Sequence, residues 1–262
     1  MWYNKVNLYR MVKMSIYKTI DLYKKEIDKH RPFVGDMLKQ IKAYYKIDLT
    51  WSSNALEGNT YTESETKVLL EDGLTVGGKP LRETFEVLGH GKAYDFMFTL
   101  IKGKEITEEH VFTMHKLFYE DIEENYAGKY RDMNVIITGS SYPVTDYNNI
   151  NYEMGELFNW INNNRQNYHP VEFAALLHKK FVFIHPFKDG NGRVARLLMN
   201  TALIQGGYLL AIIPPILRND YIVLLEKAHK NDKAFVEFIA ERVKESEKEI
   251  MRLLHIEIPK LN

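Results

Sequence analysis

Apolar residues recur three and four positions apart along almost the whole chain, and only one stretch breaks that rhythm with strand-like alternation. The periodicity predicts a mostly helical protein. A first amphipathic region runs from Ile16 through Phe33, with Ile16, Ile20, Tyr23 and Ile27 in phase. A second, from Met37 through Leu56, places Leu38, Ile41, Tyr44 and Tyr45 on one face, and Gly58 and Asn59 are expected to stop it. Thr62 and Glu65 form a capping box that opens a short helix ending near Gly73. Pro80, as a first-turn residue, starts a longer helix through Phe85, Leu88, Tyr94, Phe96 and Leu100, and Thr107 caps the next. Further helices are expected at Tyr152 through Asn162, Pro170 through Ile184, Arg193 through Ile204, Asn219 through Lys230, and Lys233 to about Leu254.

The exception is Val135-Ile136-Ile137, followed by Gly139-Ser140-Ser141 and then Tyr142-Pro143-Val144, which reads as a short β-hairpin. With 262 residues, 45% of them hydrophobic, the chain can bury a substantial core. It has no repeat or linker, and its weakest joint is the glycine-rich stretch from Asp72 through Lys79. The expected organisation is a helical extension over 1–50 on a catalytic domain over 51–262.

Lys plus Arg and Asp plus Glu both total 35, so no global field would draw in nucleic acid or an anionic membrane. There is no cysteine, hence no disulfide, thiolate nucleophile or thiolate metal site, which fits a reducing compartment and makes a cytoplasmic location the expectation. Met1 through Lys13 lack the apolar block of an export signal. The greasiest stretch, Tyr208 through Leu217, is about half the roughly 20 residues a spanning helix needs, and Pro214 and Pro215 interrupt it. A soluble protein is expected.

The stretch richest in chemistry is His185-Pro186-Phe187-Lys188-Asp189-Gly190-Asn191-Gly192-Arg193-Val194-Ala195-Arg196. Pro186 disfavours right-handed helical angles at His185, so the histidine sits on a fixed helix end. Phe187 is expected to pin the following polar loop to the core. Asp189 through Gly192 supply turn residues whose backbone N–H groups can face one concavity just before a helix begins, which makes an anion cradle at a helix N-terminus. Arg193 and Arg196 lie three apart on that helix and add two guanidinium forks, and Asp189 is the loop's one carboxylate, able to share Mg²⁺ with phosphates. The ligand these features describe is Mg²⁺ with a nucleoside triphosphate. Gly190-x-Gly192-x-x-Ala195 also matches a short dinucleotide fingerprint, but it follows a helix-period segment where that motif needs a strand. None of the nine histidines belongs to an H-E-x-x-H zinc site.

His185 through Arg196 resembles, at every motif position, the H-P-F-x-D-G-N-G-R-x-x-R signature of Fic-domain proteins. Gly128-Lys129-Tyr130-Arg131, Ile106-Thr107 and Arg218-x-x-Tyr221 are similarly placed around it, so the likeness extends from about Trp51 to Glu241. The resemblance implies a Fic-type helical bundle with one short β-hairpin flap, and an enzyme that transfers AMP from ATP to a protein hydroxyl. On that likeness His185 is the general base and Asp189 the Mg²⁺ ligand. Gly190, Asn191 and Gly192 cradle the inner phosphates, and Arg193 and Arg196 hold the outer ones. The hairpin corresponds to the flap that aligns an extended target segment by main-chain pairing, with Ile137, Thr138, Gly139 and Ser140 also near the nucleotide. A hairpin that merely covers the core is the competing reading. The implied partner is a protein with an exposed hydroxyl, with automodification of the chain itself as a further outcome.

Ser53-Asn54-Ala55-Leu56-Glu57-Gly58 resembles the family's inhibitory motif. Ser53 and Glu57 are four apart, so the hydroxyl is expected to steady the carboxylate, Gly58 to end the helix, and Glu57 to pair bidentately with Arg196 in the place of the γ-phosphate. The expected function is an autoinhibited protein adenylyltransferase. A hydrolase that removes AMP from the same kind of target, and an idle nucleotide-binding module, are the alternatives.

Overall fold

Capping chemistry and apolar phase together produce ten α-helices among residues 16–103 and 105–259, the part of the chain that the computed structural model describes. The expectation for Met1 through Lys13 lies outside the described residues. α1 is helical over 16–28, and the region predicted to continue to Phe33 turns away there. α2 (Gly35–Ala55), α3 (Glu63–Asp72), α4 (Leu81–Thr99) and α5 (Glu108–Tyr119) follow. Then come α6 (Ile150–Asn164), α7 (Pro170–Ile184), α8 (Asn191–Gln205), α9 (Arg218–Lys227) and α10 (Lys233–Leu253). The Thr62–Glu65 capping box forms as predicted, and Thr107 makes a second one with the His110 side chain in the glutamate's role. α2 runs unbroken through residue 50, where an extension was expected to end.

One apolar core reaches from Ile16 on α1 to Met251 on α10. α7 and α8 pack against each other more extensively than any other pair and lie at its centre. Phe173, Leu177 and Phe181 on α7 and Val194, Leu197, Leu198 and Leu203 on α8 are buried. Burying α8 on nearly every side takes Arg193 and Arg196 out of water at its first turns, so each must find partners inside the protein. The greasy run after α8 serves this core too: Leu209 to Ile213 are buried, held where the Asn200 side chain bonds Ala211 N–H at 2.7 Å. Among the described residues no helix is long and apolar enough to cross a membrane.

The β-hairpin is not formed: among the described residues there is no strand, and Val135 through Val144 is irregular chain around a turn at 138–139. Its one internal backbone bond of the turn runs from Ser140 N–H to Ile137 C=O, at 3.2 Å. On the second arm, groups that a ladder would need are missing or engaged elsewhere. Pro143 has no N–H, Ser141 N–H is bound by Glu226, and the arms are tied side chain to side chain by Asn134 and Asp146 at 2.9 Å. The fold is all-helical with a non-strand flap.

Candidate active site

His185 ends α7 in the left-handed region, at φ 54° and ψ 57°, a conformation that costs a non-glycine residue on the order of 1–2 kcal/mol. Such strain persists only where the surroundings over-determine it. Here Arg131, itself buried, donates from Nε to His185 C=O at 2.9 Å, and Arg131 N–H bonds Pro186 C=O at 2.9 Å. Phe187 is fully buried and stacks on the His115 ring at 3.7 Å. Asn191 then closes the loop on itself: its Oδ1 accepts from Phe187 N–H and its Nδ2 donates to Phe187 C=O, both at 2.8 Å. The Asn191 side chain therefore shapes the loop, and only its place in the first turn of α8 is left for an anion. His115 Nδ1 accepts from Gly128 N–H at 2.9 Å, so its Nε2 carries the proton and donates to Asp189 C=O at 3.1 Å. Burial lowers the His115 pKa to about 4, in keeping with a neutral ring in that role.

Gly190 takes φ 79°, and a Cβ there would come within 3.0 Å of the Phe118 ring. Gly192 opens the cradle itself. A Cβ on it would lie 2.2 Å from Glu57 Oε1 and 3.1 Å from Arg196 Nη1, so the Glu57 carboxylate rests directly over the first turn of α8, where unpaired N–H groups and the helix dipole favour negative charge. Arg196 Nη2 donates to Glu57 Oε1 at 2.7 Å. Arg196 is 2% exposed at its side chain, whereas Glu57, on the solvent side of the pair, is 36% exposed. Burial pushes the Glu57 carboxyl up, but the Arg196 and Arg193 guanidiniums more than offset this and hold it below its ordinary value.

Three details differ from the sequence reading. α2 ends at Ala55, so Glu57 lies in the turn beyond the helix and Gly58 follows at φ 98°. Ser53 does not touch the carboxylate: its Oγ accepts from Arg196 Nε and its C=O from Arg196 Nη2, each at 2.8 Å. With those positions taken, the Glu57 contact is a single hydrogen bond instead of a fork. The far side of Arg196 meets Tyr221 Oη at 3.4 Å, which in turn pairs with His178 Nε2 at 3.0 Å.

Arg193 and Arg196 diverge. Arg193 reaches Glu86 Oε1 at 3.2 Å and Asp189 Oδ1 at 3.3 Å, and lies over the Phe118 ring. Asp189 Oδ2 accepts from Arg82 Nη2 at 2.7 Å, and Oδ1 from Gly190 N–H at 2.6 Å. Among the described residues no three His, Asp or Glu side chains converge as a metal site. Asp189, 39% exposed, suits a hard cation only together with phosphate oxygens, once Arg82, itself 53% exposed, yields.

His185 Nδ1 is buried without a well-formed hydrogen bond, leaving Nε2 as the ring nitrogen available to a ligand. Burial, with Arg131 next in weight, lowers its pKa to about 4, against the opposing pull of Glu57 and Asp189. The ring is neutral at pH 7. The flap joins this centre through Arg131, which also donates to Met133 C=O at 2.8 Å and to Thr145 C=O. Ile137, Thr138, Gly139 and Ser140 make no hydrogen bond to the cradle; Ser140 bonds Glu226 on α9. Arg131, Arg82, Glu86 and Tyr221 are the site residues to which sequence reasoning gave no role, although Arg131 and Tyr221 stand in segments whose spacing it did notice.

Residues 105–203 match the Fic/DOC family. The chain is 37% identical over 208 residues to "Protein adenylyltransferase Fic" of Nematostella vectensis, covering 78% of this chain and 48% of that protein. It is 37% identical over 194 residues to the protein of the same name in Drosophila grimshawi, covering 73% and 40%. The chain thus spans about half the length of these relatives or less. Among solved structures it is similar to Fic-1 from C. elegans, with a TM-score of 0.82 at 27% identity, covering 94% of this chain and 74% of that one. A Fic-domain signaling protein from Bacteroides thetaiotaomicron also gives 0.82 at 27% identity, covering 92% and 100%.

Proposed function

We propose, from the match of residues 105–203 to the Fic/DOC family, that the chain is a protein adenylyltransferase, moving AMP from ATP to a Ser, Thr or Tyr hydroxyl of a target protein under the restraint of Glu57. The observation that carries the reading is the anion already in the cradle: a carboxylate sits over Gly192 and bonds Arg196 at 2.7 Å, which is what a phosphate oxygen would do there.

In this reading the triphosphate takes the place of the Glu57 carboxylate. Arg196 and Arg193 then bind its outer phosphates, and the first turn of α8 faces the inner ones. Asp189 would hold Mg²⁺, which neutralises phosphate charge when bound. The flap aligns the target so that its hydroxyl lies near His185 Nε2. The hydroxyl oxygen attacks the α-phosphorus, its proton passes to Nε2, and the bond to the β-phosphate breaks so that pyrophosphate leaves. A pKa near 4 means that the ring need not lose a proton at neutral pH, and the negative charge of bound phosphates raises its basicity when it is needed. Positioning and charge neutralisation supply most of the rate.

The test is intact mass of the Glu57→Gly protein and an added protein mixture after incubation with Mg²⁺ and ATP, UTP or GTP in turn. Addition of AMP with ATP alone is expected. Addition of UMP or GMP would change the substrate, and no adduct with any nucleotide would discard the reading.

A further inference from the structure

The flap is anchored at two places. At its base, Arg131 joins Met133 C=O and Thr145 C=O to His185 C=O. At its tip, the Glu226 carboxylate of α9 takes two bonds, Oε2 from Ser140 Oγ at 3.0 Å and Oε1 from Ser141 N–H at 2.7 Å. Next to it, Tyr142 stacks on His229 with ring centroids 3.9 Å apart, and His229 stacks on Phe183 of α7 at 3.6 Å. Three parallel rings therefore join flap, α9–α10 turn and α7.

Between the anchors the arm is bare. Val135 and Ile136 contribute no backbone hydrogen bond within the described residues, and Ile136 is 96% exposed. A segment with no ladder of its own samples many conformations, and ordering it at the moment of binding weakens that binding. The position of this bare edge relative to His185 is therefore set by what holds its ends.

We propose that Glu226 and His229 are positioning residues for the transfer reaction: they hold the flap tip on α9 and α7 so that the unpaired edge at Val135 and Ile136 presents one register to an extended target segment beside His185. This inference rests on the adenylyltransferase reading. Neither residue touches the phosphate cradle, so their effect falls on the acceptor and leaves the nucleotide alone.

The test uses the full chain with Glu57→Gly as parent and adds Glu226→Ala, Glu226→Gln, His229→Ala or His229→Phe. The acceptor is a His185→Ala copy of the chain, supplied at rising concentration, and hydrogen exchange of the 138–142 amides is followed alongside. Losing hydrogen bonds to a charged group predicts that Glu226→Ala speeds tip exchange and raises KM for the acceptor by about tenfold or more, with kcat and the Kd of Mg-ATP within about twofold. Glu226→Gln keeps a carbonyl for Ser141 N–H and falls between. His229→Phe keeps the stack and behaves as the parent, whereas His229→Ala follows Glu226→Ala. Unchanged tip exchange in both alanine variants overturns the proposal, as does faster exchange with an unaltered KM. Should the parent transfer no AMP to any acceptor, the adenylyltransferase reading falls, and the exchange rates still decide whether these two residues fix the flap.

Discussion

Replacing Glu57 by glycine removes the carboxylate that, among the described residues, bonds Arg196, and the structure sets the size of two opposite effects. The first is a loss of stability. Breaking a buried ion pair costs on the order of 3–5 kcal/mol when it leaves a charge uncompensated. Here Arg196 retains Ser53 Oγ, Ser53 C=O and Tyr221 Oη, and Glu57 is 36% exposed, which screens the pair, so the loss falls to about 1–2 kcal/mol. In a chain of this size that lowers Tm by roughly 2–8 °C. The second effect is a gain in transfer. A hydrogen bond to a charged group is worth about 1.5–3 kcal/mol, and once it no longer has to be exchanged for a phosphate oxygen, productive nucleotide binding improves by roughly 10- to 100-fold. Glu57→Gln keeps an acceptor without the charge and should lie between. The assay is AMP incorporation from labelled ATP at subsaturating nucleotide, with Tm measured in parallel.

The pH dependence of that gain follows from the sign of the Glu57 shift. Its folded pKa lies below the ordinary 4.5, so the pair's stabilisation is complete above about 4.5 and disappears only as pH falls through the lower folded value. Acidification from pH 8 to 6 therefore does not release the carboxylate, and the ratio of Glu57→Gly to unsubstituted rates should be flat across that range. A ratio near one throughout, or one that shrinks toward one at pH 6, refutes the reasoning.

His185→Ala in the Glu57→Gly background should cut transfer by about 10²- to 10⁴-fold while the Kd for Mg-ATP, read by calorimetry, stays within about twofold; retained transfer would remove the histidine as base. Gly192→Ala in the same background places a Cβ where Glu57 Oε1 now comes within 2.2 Å, so calorimetry should show ATP affinity reduced by about tenfold or more, and unchanged affinity would move the phosphates elsewhere. Burial lowers His90 and His178 to about 3 and His115 and His185 to about 4. The unfolded chain takes up these protons near pH 6.5, so this stability is present above 6.5 and falls as pH drops toward 4, by up to about 1.4 kcal/mol per pH unit at each site. Burial raises Glu247 to about 9 and Asp48 to about 6, and those two act in the opposite sense without cancelling four histidines. Urea midpoints should therefore peak near pH 6.5–7 and decline by pH 5; a midpoint unchanged from 7 to 5 contradicts the neutral, buried rings.

The helices were legible because an amphipathic face has to repeat with the helical period, and the Thr62 and Pro170 starts because caps act within one turn. The flap was half legible. Three β-branched residues favour a strand over a helix, and no helix forms there, but a ladder also needs free partners, and Glu226, 85 residues away from Ser141, takes the N–H at the tip. Ser53 shows the same limit. A spacing of four implies a shared face only while the helix lasts, and α2 ends two residues before Glu57. Arg82 and Glu86 had no signal at all, because their partners Asp189 and Arg193 lie over a hundred residues away and no local pattern encodes such a pairing.

In the proposed reading, Arg196 links restraint to catalysis, and its burial supplies the reason. A guanidinium 2% exposed is stable only with negative or strongly accepting groups around it, and removing a buried charge's counterion is more costly than never burying the charge. In the nucleotide-free protein that requirement favours Glu57 in the cradle. A triphosphate bound as proposed would satisfy the same requirement, so release of the carboxylate would leave no orphaned cation and the exchange of one anion for another would be nearly balanced. A nearly balanced exchange can be tipped by small energies, and the Glu57 turn is the place to apply them: Arg218 Nε donates to Leu56 C=O at 2.7 Å, so α9 bears on that turn directly. The ten-residue helix that carries Glu226 at one end therefore contacts the Glu57 turn at its other end, so flap and carboxylate are both tied to α9.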